Sequence, residues 1–254
     1  MAEGRHDGGK VQQSSVAARR RAVGVKKFSS ASLESPRVVA TVHSAVGLRL
    51  AARLQPADVD LLELRVDALV GQLDAVRREL PRMRLPVLLT VRHPAEGGLG
   101  GLRLDRRRNL FSEFLEYATM VDVELRSVDS MREMIAAARN RGVKVVVSDH
   151  HFRSTPMVGR MLERRRRAFA AGADVFKIAA MAGDARSLAR LLEFAARCSG
   201  RPFAVMGMGR FGQVSRLALA VAGSVLNYGY LDRPNAPGQW EARELKRLFV
   251  QLGV

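Results

Sequence analysis

Lys177 lies inside an apolar run, Ala173-Asp174-Val175-Phe176-Lys177-Ile178-Ala179-Ala180, in a chain that carries its positive charge almost entirely as arginine. Of 42 basic residues only six are lysine (Lys10, Lys26, Lys27, Lys144, Lys177 and Lys246), which leaves 36 arginines. Arginine stays protonated and cannot act as a nucleophile, whereas a desolvated lysine sheds its proton more readily and can attack a ketone to form an imine. The position therefore suggests amine chemistry, set against a plainer reading in which the stem packs and the ammonium reaches water. For acid-base work the amine must spend part of its time neutral, which desolvation and a neighbouring cation would favour.

His150 and His151 could add a proton shuttle near neutral pH. Adjacent strand residues point to opposite faces, so the two are not expected to serve one metal or one substrate atom together. Parity with Ser148 makes His150 the inward one. With no His-Glu-x-x-His pattern and no other ligand cluster, no metal is expected. His43 and His93 read as polar loop or strand-end residues. The single cysteine, Cys198, cannot form an internal disulfide or a cysteine metal cluster; it fits small core packing in a reducing compartment.

The elements that must position these groups follow one rhythm. From Pro36 onward, short apolar runs alternate with longer amphipathic ones. Eight strands are expected at 38–42, 61–66, 87–92, 121–125, 144–148, 174–179, 203–208 and 224–228. Helical periodicity lies between them, as at 131–139, 185–197 and 241–252. One helix after each strand, in a chain of 254 residues, predicts a (β/α)8 barrel over 36–254. A doubly wound open sheet is the alternative, but no Gly-x-Gly-x-x-Gly turn follows the first strand.

Strand parity then sorts the side chains. Leu62, Leu64 and Val66 should face the helices while Glu63 and Arg65 face inward; Val121, Val123 and Leu125 should lie outward and Asp122 and Glu124 inward. Thr90 and Arg92, Ser148 and His150, and Val175 and Lys177 join the inward set. An interior holding so many polar groups is not an ordinary aliphatic core, and barrel enzymes place their chemistry at the C-terminal ends of strands. Ion pairs from Glu63 or Glu124 to Arg65 or Arg92 would be structural and would also hold catalytic groups in position.

A formal charge of +17 invites a nucleic-acid reading. Residues 1–35 hold seven Lys or Arg against three Asp or Glu, a net of +4, so +13 is spread over the rest. The densest runs, 106–108 and 164–167, have helical periodicity and read as solvated faces, so no specific nucleic-acid partner is expected. The field could attract a small anionic substrate. Residues 1–35, rich in Ser, Ala, Gly and Arg, are expected to be a disordered basic tail. They faintly resemble a transit peptide, but Glu3, Asp7 and Glu34 fit a disordered extension or an overextended start better. No apolar stretch approaches the roughly 20 residues that span a bilayer, and the first residues lack a secretory segment, so a cytoplasmic protein with no membrane partner is expected.

Several motifs occur in one order. Glu63-Leu64-Arg65-Val66-Asp67, Thr90-Val91-Arg92 continuing to Glu96-Gly97-Gly98, Ser148-Asp149-His150-His151-Phe152 and Lys177-Ile178-Ala179 are followed by Met206-Gly207-Met208-Gly209, Ser215-Arg216, Gly223-Ser224 and Ala236-Pro237-Gly238-Gln239. From about Pro36 to the C-terminus this set resembles type I 3-dehydroquinate dehydratase. The resemblance implies a (β/α)8 barrel that removes water from 3-dehydroquinate to give 3-dehydroshikimate, in the shikimate route to aromatic compounds. It also implies that Lys177 forms an imine with the substrate ketone and His150 moves the protons, with no cofactor because the lysine itself supplies the electron sink. Arg216 would pair with the substrate carboxylate. Glu63, Arg65, Arg92, Asn235 and Gln239 would hold substrate hydroxyls or orient the catalytic pair. Glu96 and Glu124 would support them, Met206 and Met208 would line the pocket wall, and a homodimer is implied.

Two positions depart from the family pattern: His151 stands where Asp or Asn is common, and Asn235 where Ser is common. Two other activities compete with this reading. A class I aldolase also uses a barrel lysine but cleaves a carbon-carbon bond, and a basic nucleic-acid-binding protein could be built on an inactive barrel. Product analysis separates the first, and steeply salt-dependent binding without dehydration would mark the second.

Overall fold

A computed structural model of the chain describes residues 33–254. Eight strands alternate with eight helices in chain order. The strands are β1 (Arg37–Val42), β2 (Leu61–Arg65), β3 (Val87–Thr90), β4 (Met120–Glu124), β5 (Lys144–His151), β6 (Val175–Met181), β7 (Phe203–Met208) and β8 (Leu226–Tyr230). The helices are α1 (Ala45–Ala51), α2 (Leu73–Glu79), α3 (Leu104–Phe114), α4 (Arg132–Asn140), α5 (Val158–Ala170), α6 (Ala185–Ala196), α7 (Gly212–Val221) and α8 (Ala242–Leu252). Every ladder is parallel and runs in the order β7-β6-β5-β4-β3-β2-β1-β8.

A seam remains between β7 and β8, and one main-chain bond and one side chain bridge it. Val225 donates its main-chain N–H to Phe203 O at 2.9 Å. Ser224 Oγ accepts from Val205 N at 3.0 Å and donates to Val205 O at 3.3 Å, replacing one rung of a ladder. The expected (β/α)8 barrel is therefore observed, nearly closed.

Two apolar layers sit on either side of the strands. Outward residues such as Leu62, Leu64, Val121, Val123, Val145 and Val147 pack with Leu110, Phe111, Phe114, Phe194, Leu219 and Phe249 from the helices. Inward residues at the N-terminal ends, among them Val39, Leu61, Leu88, Met120, Val146, Val175, Ala204 and Leu226, fill the bottom of the barrel. Two residues further along each strand the inward position becomes Thr41, Glu63, Thr90, Asp122, Ser148, Lys177, Met206 or Tyr228. The apolar floor thus carries a polar storey directly above it.

Boundaries shift from expectation for stated reasons. β3 ends at Thr90 rather than 92, because the main-chain N–H of Arg92 is taken by Asp67 Oδ1 at 3.1 Å instead of a ladder partner. β8 starts at Leu226 because residues 224 and 225 bond to β7. β5 and β6 run on together to His151 and Met181, pairing His150 with Ala179 and His151 with Ala180. Leu33, inside the segment expected to be a tail, is buried with Val39, Val225 and Leu226; residues 1–32 lie outside the described part. No described helix is long and apolar enough to cross a membrane.

Candidate active site

Arg92 organises the barrel interior. Its guanidinium donates to Asp122 through two parallel bonds of 2.8 and 2.9 Å, to Ser148 Oγ at 2.7 Å and to Glu124 Oε1 at 3.4 Å, with Glu63 Oε1 at 3.7 Å. Bidentate geometry fixes both planes at once. Burial pushes the Asp122 carboxyl up, but Arg92 and Lys177 more than offset this and hold it far below the usual carboxylate range. Thr41 and Thr90 donate their hydroxyls to the two oxygens of Glu63, each at 3.1 Å. Glu63 and Arg92 are inward as parity predicted, and the expected ion pairs form from Arg92 but not from Arg65. Arg65 instead pairs with Asp67 at 2.9 and 2.8 Å and reaches Gly97 O at 3.1 Å.

Lys177 is 3% exposed. Its Nζ donates to Asp122 Oδ2 at 3.0 Å, lies 3.7 Å from Glu63 Oε1 and sits 3.9 Å from the centre of the Tyr228 ring. The expectation of desolvation holds, whereas the immediate partners are carboxylates and a π face rather than a cation. A ring face and a buried carboxylate both accommodate a cationic nitrogen, whether ammonium or iminium.

His150 follows on β5, beside β6. Its main-chain N–H donates to Glu96 Oε2 at 3.2 Å, and its ring Nδ1 lies 2.9 Å from the same oxygen. With one N–H already pointing at Oε2, that oxygen is the acceptor, which assigns a proton to Nδ1 and leaves a lone pair on Nε2. Burial, then Arg92 and Lys177, hold the imidazole well below its ordinary value, so it is neutral near pH 7. Burial also pushes the Glu96 carboxyl up to about 8. The contact has the spacing of an ion pair, but both shifts favour the uncharged forms; at neutral pH it is a hydrogen bond between neutral groups. Phe152 stacks on the His150 ring, 6.4 Å between centres, and Gly97 leaves room for it, because a Cβ there would come within 2.9 Å of Phe152 Cζ.

Arg216 reaches in from α7. It donates through Nε to Tyr228 O at 2.9 Å and through Nη1 to the carbonyls of Gly207, Gly212 and Gly238 at 2.9, 2.8 and 2.6 Å. Four carbonyls bridge β7, β8 and the 232–241 segment through this one side chain. No carboxylate among the described residues pairs with it, and burial lowers its pKa to about 10. Close approach requires glycine at 238, where φ is +74° and a Cβ would lie 2.4 Å from Gly209 O. In the same segment Gln239 Oε1 accepts from Asn235 N at 2.9 Å and Ala236 N at 3.2 Å, so the loop is folded on itself. Asn235 is exposed at the rim.

These residues enclose one cavity of about 110 Å³, lined by Glu63, Arg65, Arg92, Glu96, His150, Lys177, Met206, Met208, Arg216, Asn235 and Gln239 together with Thr41, Phe152, Ala179 and Tyr228. That volume suits a small molecule rather than a polymer. Of the residues to which the family resemblance gives a role in the site, all but Glu124 line it, whereas Thr90, Asp122, Ser148 and His151 do not. Glu124 sits behind, pairing with Arg92 and Arg107 and accepting the main-chain N–H of His93 at 2.7 Å. Charge is nearly matched: Arg92, Arg107 and Lys177 face Asp122, Glu63 and Glu124, three against three, and Arg65 faces Asp67. Arg216 is the cation left over. Among the described residues no group of three or more His, Cys, Asp or Glu side chains could hold a metal ion.

Some expectations need correction. Arg107, in a run read as a solvated face, is 1% exposed and donates to Glu124 Oε2 at 2.5 Å, Val91 O at 2.9 Å and Ser127 Oγ at 3.3 Å. Its spacing to Leu110, Phe111 and Phe114 puts it on the apolar stripe of α3, a signal that was legible in the sequence. Arg164 is half-buried and pairs with Asp149 at 3.0 Å, and Asp149 also meets His151 Nε2 at 2.7 Å. His151 is thus turned outward from the cavity. His43 is, as expected, a loop residue directly after β1, and it is buried; His93 caps the turn after β3, accepting from Ala95 N at 3.0 Å. Cys198 packs partly buried against the outer core.

A family model described as type I 3-dehydroquinase matches residues 38–254. The 3-dehydroquinate dehydratase of Methanocella arvoryzae is 35% identical over 220 residues, covering 86% of this chain and 98% of that protein. The enzyme of the same name from Hydrogenobaculum is 31% identical over 203 residues, covering 77% and 89%. Among solved structures, type I 3-dehydroquinate dehydratase from Clostridium difficile with covalently modified comenic acid superposes with a TM-score of 0.76 at 29% identity, covering 86% of this chain and 92% of that one. The dehydratase of Aquifex aeolicus gives 0.71 at 29%, covering 84% and 98%. The carboxyl transferase domain of Rhizobium etli pyruvate carboxylase, at 14% identity and a TM-score of 0.57, shares the fold alone.

Proposed function

The chain belongs to the type I 3-dehydroquinase family, and from that premise we propose that it converts 3-dehydroquinate to 3-dehydroshikimate through an imine on Lys177, with His150 as the group that moves protons. The chain is thereby a carbon-oxygen hydro-lyase. One observation carries the mechanistic part: a buried amine and a neutral imidazole line the same small cavity, whose one unmatched charge is a buried guanidinium. That set accepts a ketone, a carbon acid and a carboxylate together.

Lys177 Nζ gives up a proton and attacks the ketone carbon, and the carbinolamine loses water to leave a protonated imine. Electron withdrawal by that cation acidifies the neighbouring carbon, and His150 Nε2 takes its proton to give an enamine. The enamine then expels the hydroxyl one carbon further on, which leaves as water with the proton that His150 returns. Addition of water to the conjugated imine releases the product and the free amine.

Arg216 would meet the substrate carboxylate through the part of its fork not held by carbonyls, supplying the counterion missing from the resting site. Glu63, Arg65 and Arg92 would hold ring hydroxyls, and Asn235 with Gln239 would close over the substrate. Glu96 would keep the His150 ring in the tautomer that exposes Nε2. Met206 and Met208 would form an apolar wall, with Glu124 steadying Arg92 from behind. The same reading includes a place in the shikimate route, a cytoplasmic homodimer, and no dedicated nucleic-acid or membrane partner. Purified protein given 3-dehydroquinate should produce the absorbance of a conjugated enone; no absorbance change with active-site residues intact would overturn the assignment.

A further inference from the structure

β8 sends one side chain into the cavity that the steps above leave unused. Tyr228 is 3% exposed, and its hydroxyl is buried without a hydrogen-bond partner among the described residues. A buried hydroxyl left unpaired is destabilising, and such groups in native proteins call for a reason. Its backbone has no freedom to seek a partner: the carbonyl accepts from Arg216 Nε at 2.9 Å, and the residue is paired with Val39 across the β1–β8 ladder. The neighbouring donors are already committed. Arg92 is bound to Asp122 and Ser148, Thr41 and Thr90 to Glu63, and Lys177 to Asp122. Burial, then Glu63 and Asp122, push the phenol pKa well above its ordinary value, so it keeps its proton.

We infer that the Tyr228 hydroxyl is a substrate-contacting group that bonds the hydroxyl on the carbon next to the ketone, and so selects substrates that carry it. The ring face lies 3.9 Å from Lys177 Nζ and both side chains line the same cavity, so the phenol shares the end of the cavity where that nitrogen would meet the ketone, within reach of a substituent on the next carbon. This inference rests on the imine reading. Binding supplies the partner that the free protein lacks, so the phenol favours the complex twice, by making a bond and by ending an unpaired state.

The test is Tyr228→Phe, which removes one oxygen and keeps the ring. KM for 3-dehydroquinate should rise about tenfold, the scale of one neutral hydrogen bond, with kcat changed by no more than about threefold. Tm should stay level or rise by a few degrees, because the unpaired oxygen is gone. An analogue lacking the hydroxyl beside the ketone should lose a similar factor on the wild-type protein, and the two losses should not add. An unchanged KM overturns the inference, as does a lower Tm, which would mark a bond inside the free protein, or additive losses. Borohydride trapping of the unaltered protein separates the two levels. If Lys177 is trapped and Tyr228→Phe leaves KM unchanged, only the tyrosine assignment falls; if Lys177 is not trapped, the imine reading and this inference fall together.

Discussion

Lys177 and Asp122 are joined by a 3.0 Å hydrogen bond inside the barrel, with both side chains at or below 4% exposure. The same carboxylate takes two bonds from Arg92 and the hydroxyl of Ser148. Removing one member of a buried ion pair leaves an uncompensated charge. Asp122→Asn should therefore lower stability by about 3–5 kcal/mol in urea unfolding. A loss under about 1 kcal/mol would show that the charge network is dispensable for folding.

Arg107 is the sharpest contrast within a run of like residues. Arg107→Leu leaves Glu124 with the 3.4 Å contact to Arg92 as its one remaining ion pair, beside the main-chain N–H of His93, and should destabilise by about 3–5 kcal/mol. Arg106→Ala, on the exposed side of the same helix, should stay within about 0.5 kcal/mol of the parent. Equal effects from the two substitutions would contradict the burial assigned here.

That contrast also shows what the sequence made legible. Period-two alternation placed Glu63, Arg92, Asp122, Ser148, His150 and Lys177 inward, because a strand has only two faces and the aliphatic set identifies the outer one. The solvated face expected at 106–108 holds for Arg106 and Arg108 and fails at Arg107, which falls on the apolar stripe of α3. Tyr228 carries no motif or spacing that marks it in the sequence, since its unpaired hydroxyl exists only in three dimensions. The folded-back carbonyls around Arg216 were equally invisible, since they come from three separate loops and strands.

Stability should depend on pH through His150 and Glu96. Glu96 has its folded value near 8 against 4.5 unfolded, so its contribution is full below about 4.5 and is lost as pH rises through 8. His150 is held below 6.5, so its contribution is present above 6.5 and is lost as pH falls. Between 4.5 and 6.5 the two trends oppose each other. The uncompensated decline lies between about 6.5 and 8, with a slope on the order of 1 kcal/mol per pH unit. Urea midpoints measured across this window should fall for the parent and stay flat for Glu96→Gln; a parent profile as flat as the variant's would rule out the raised carboxyl.

Arg216 offers a test of anion recognition. Arg216→Lys keeps a positive charge but loses the planar fork and most of its carbonyl contacts. KM should rise roughly 10- to 100-fold, the scale of one charge-assisted bond, with a smaller change in kcat. An unchanged KM would move the substrate carboxylate elsewhere in the cavity.

The most direct measurement is covalent. Incubating the protein with 3-dehydroquinate and borohydride, then mapping peptides by mass spectrometry, should show loss of activity and a reduced adduct on Lys177. Turnover that continues without any adduct, or an adduct confined to Lys144 or Lys246 on the protein's outer parts, would contradict the imine account.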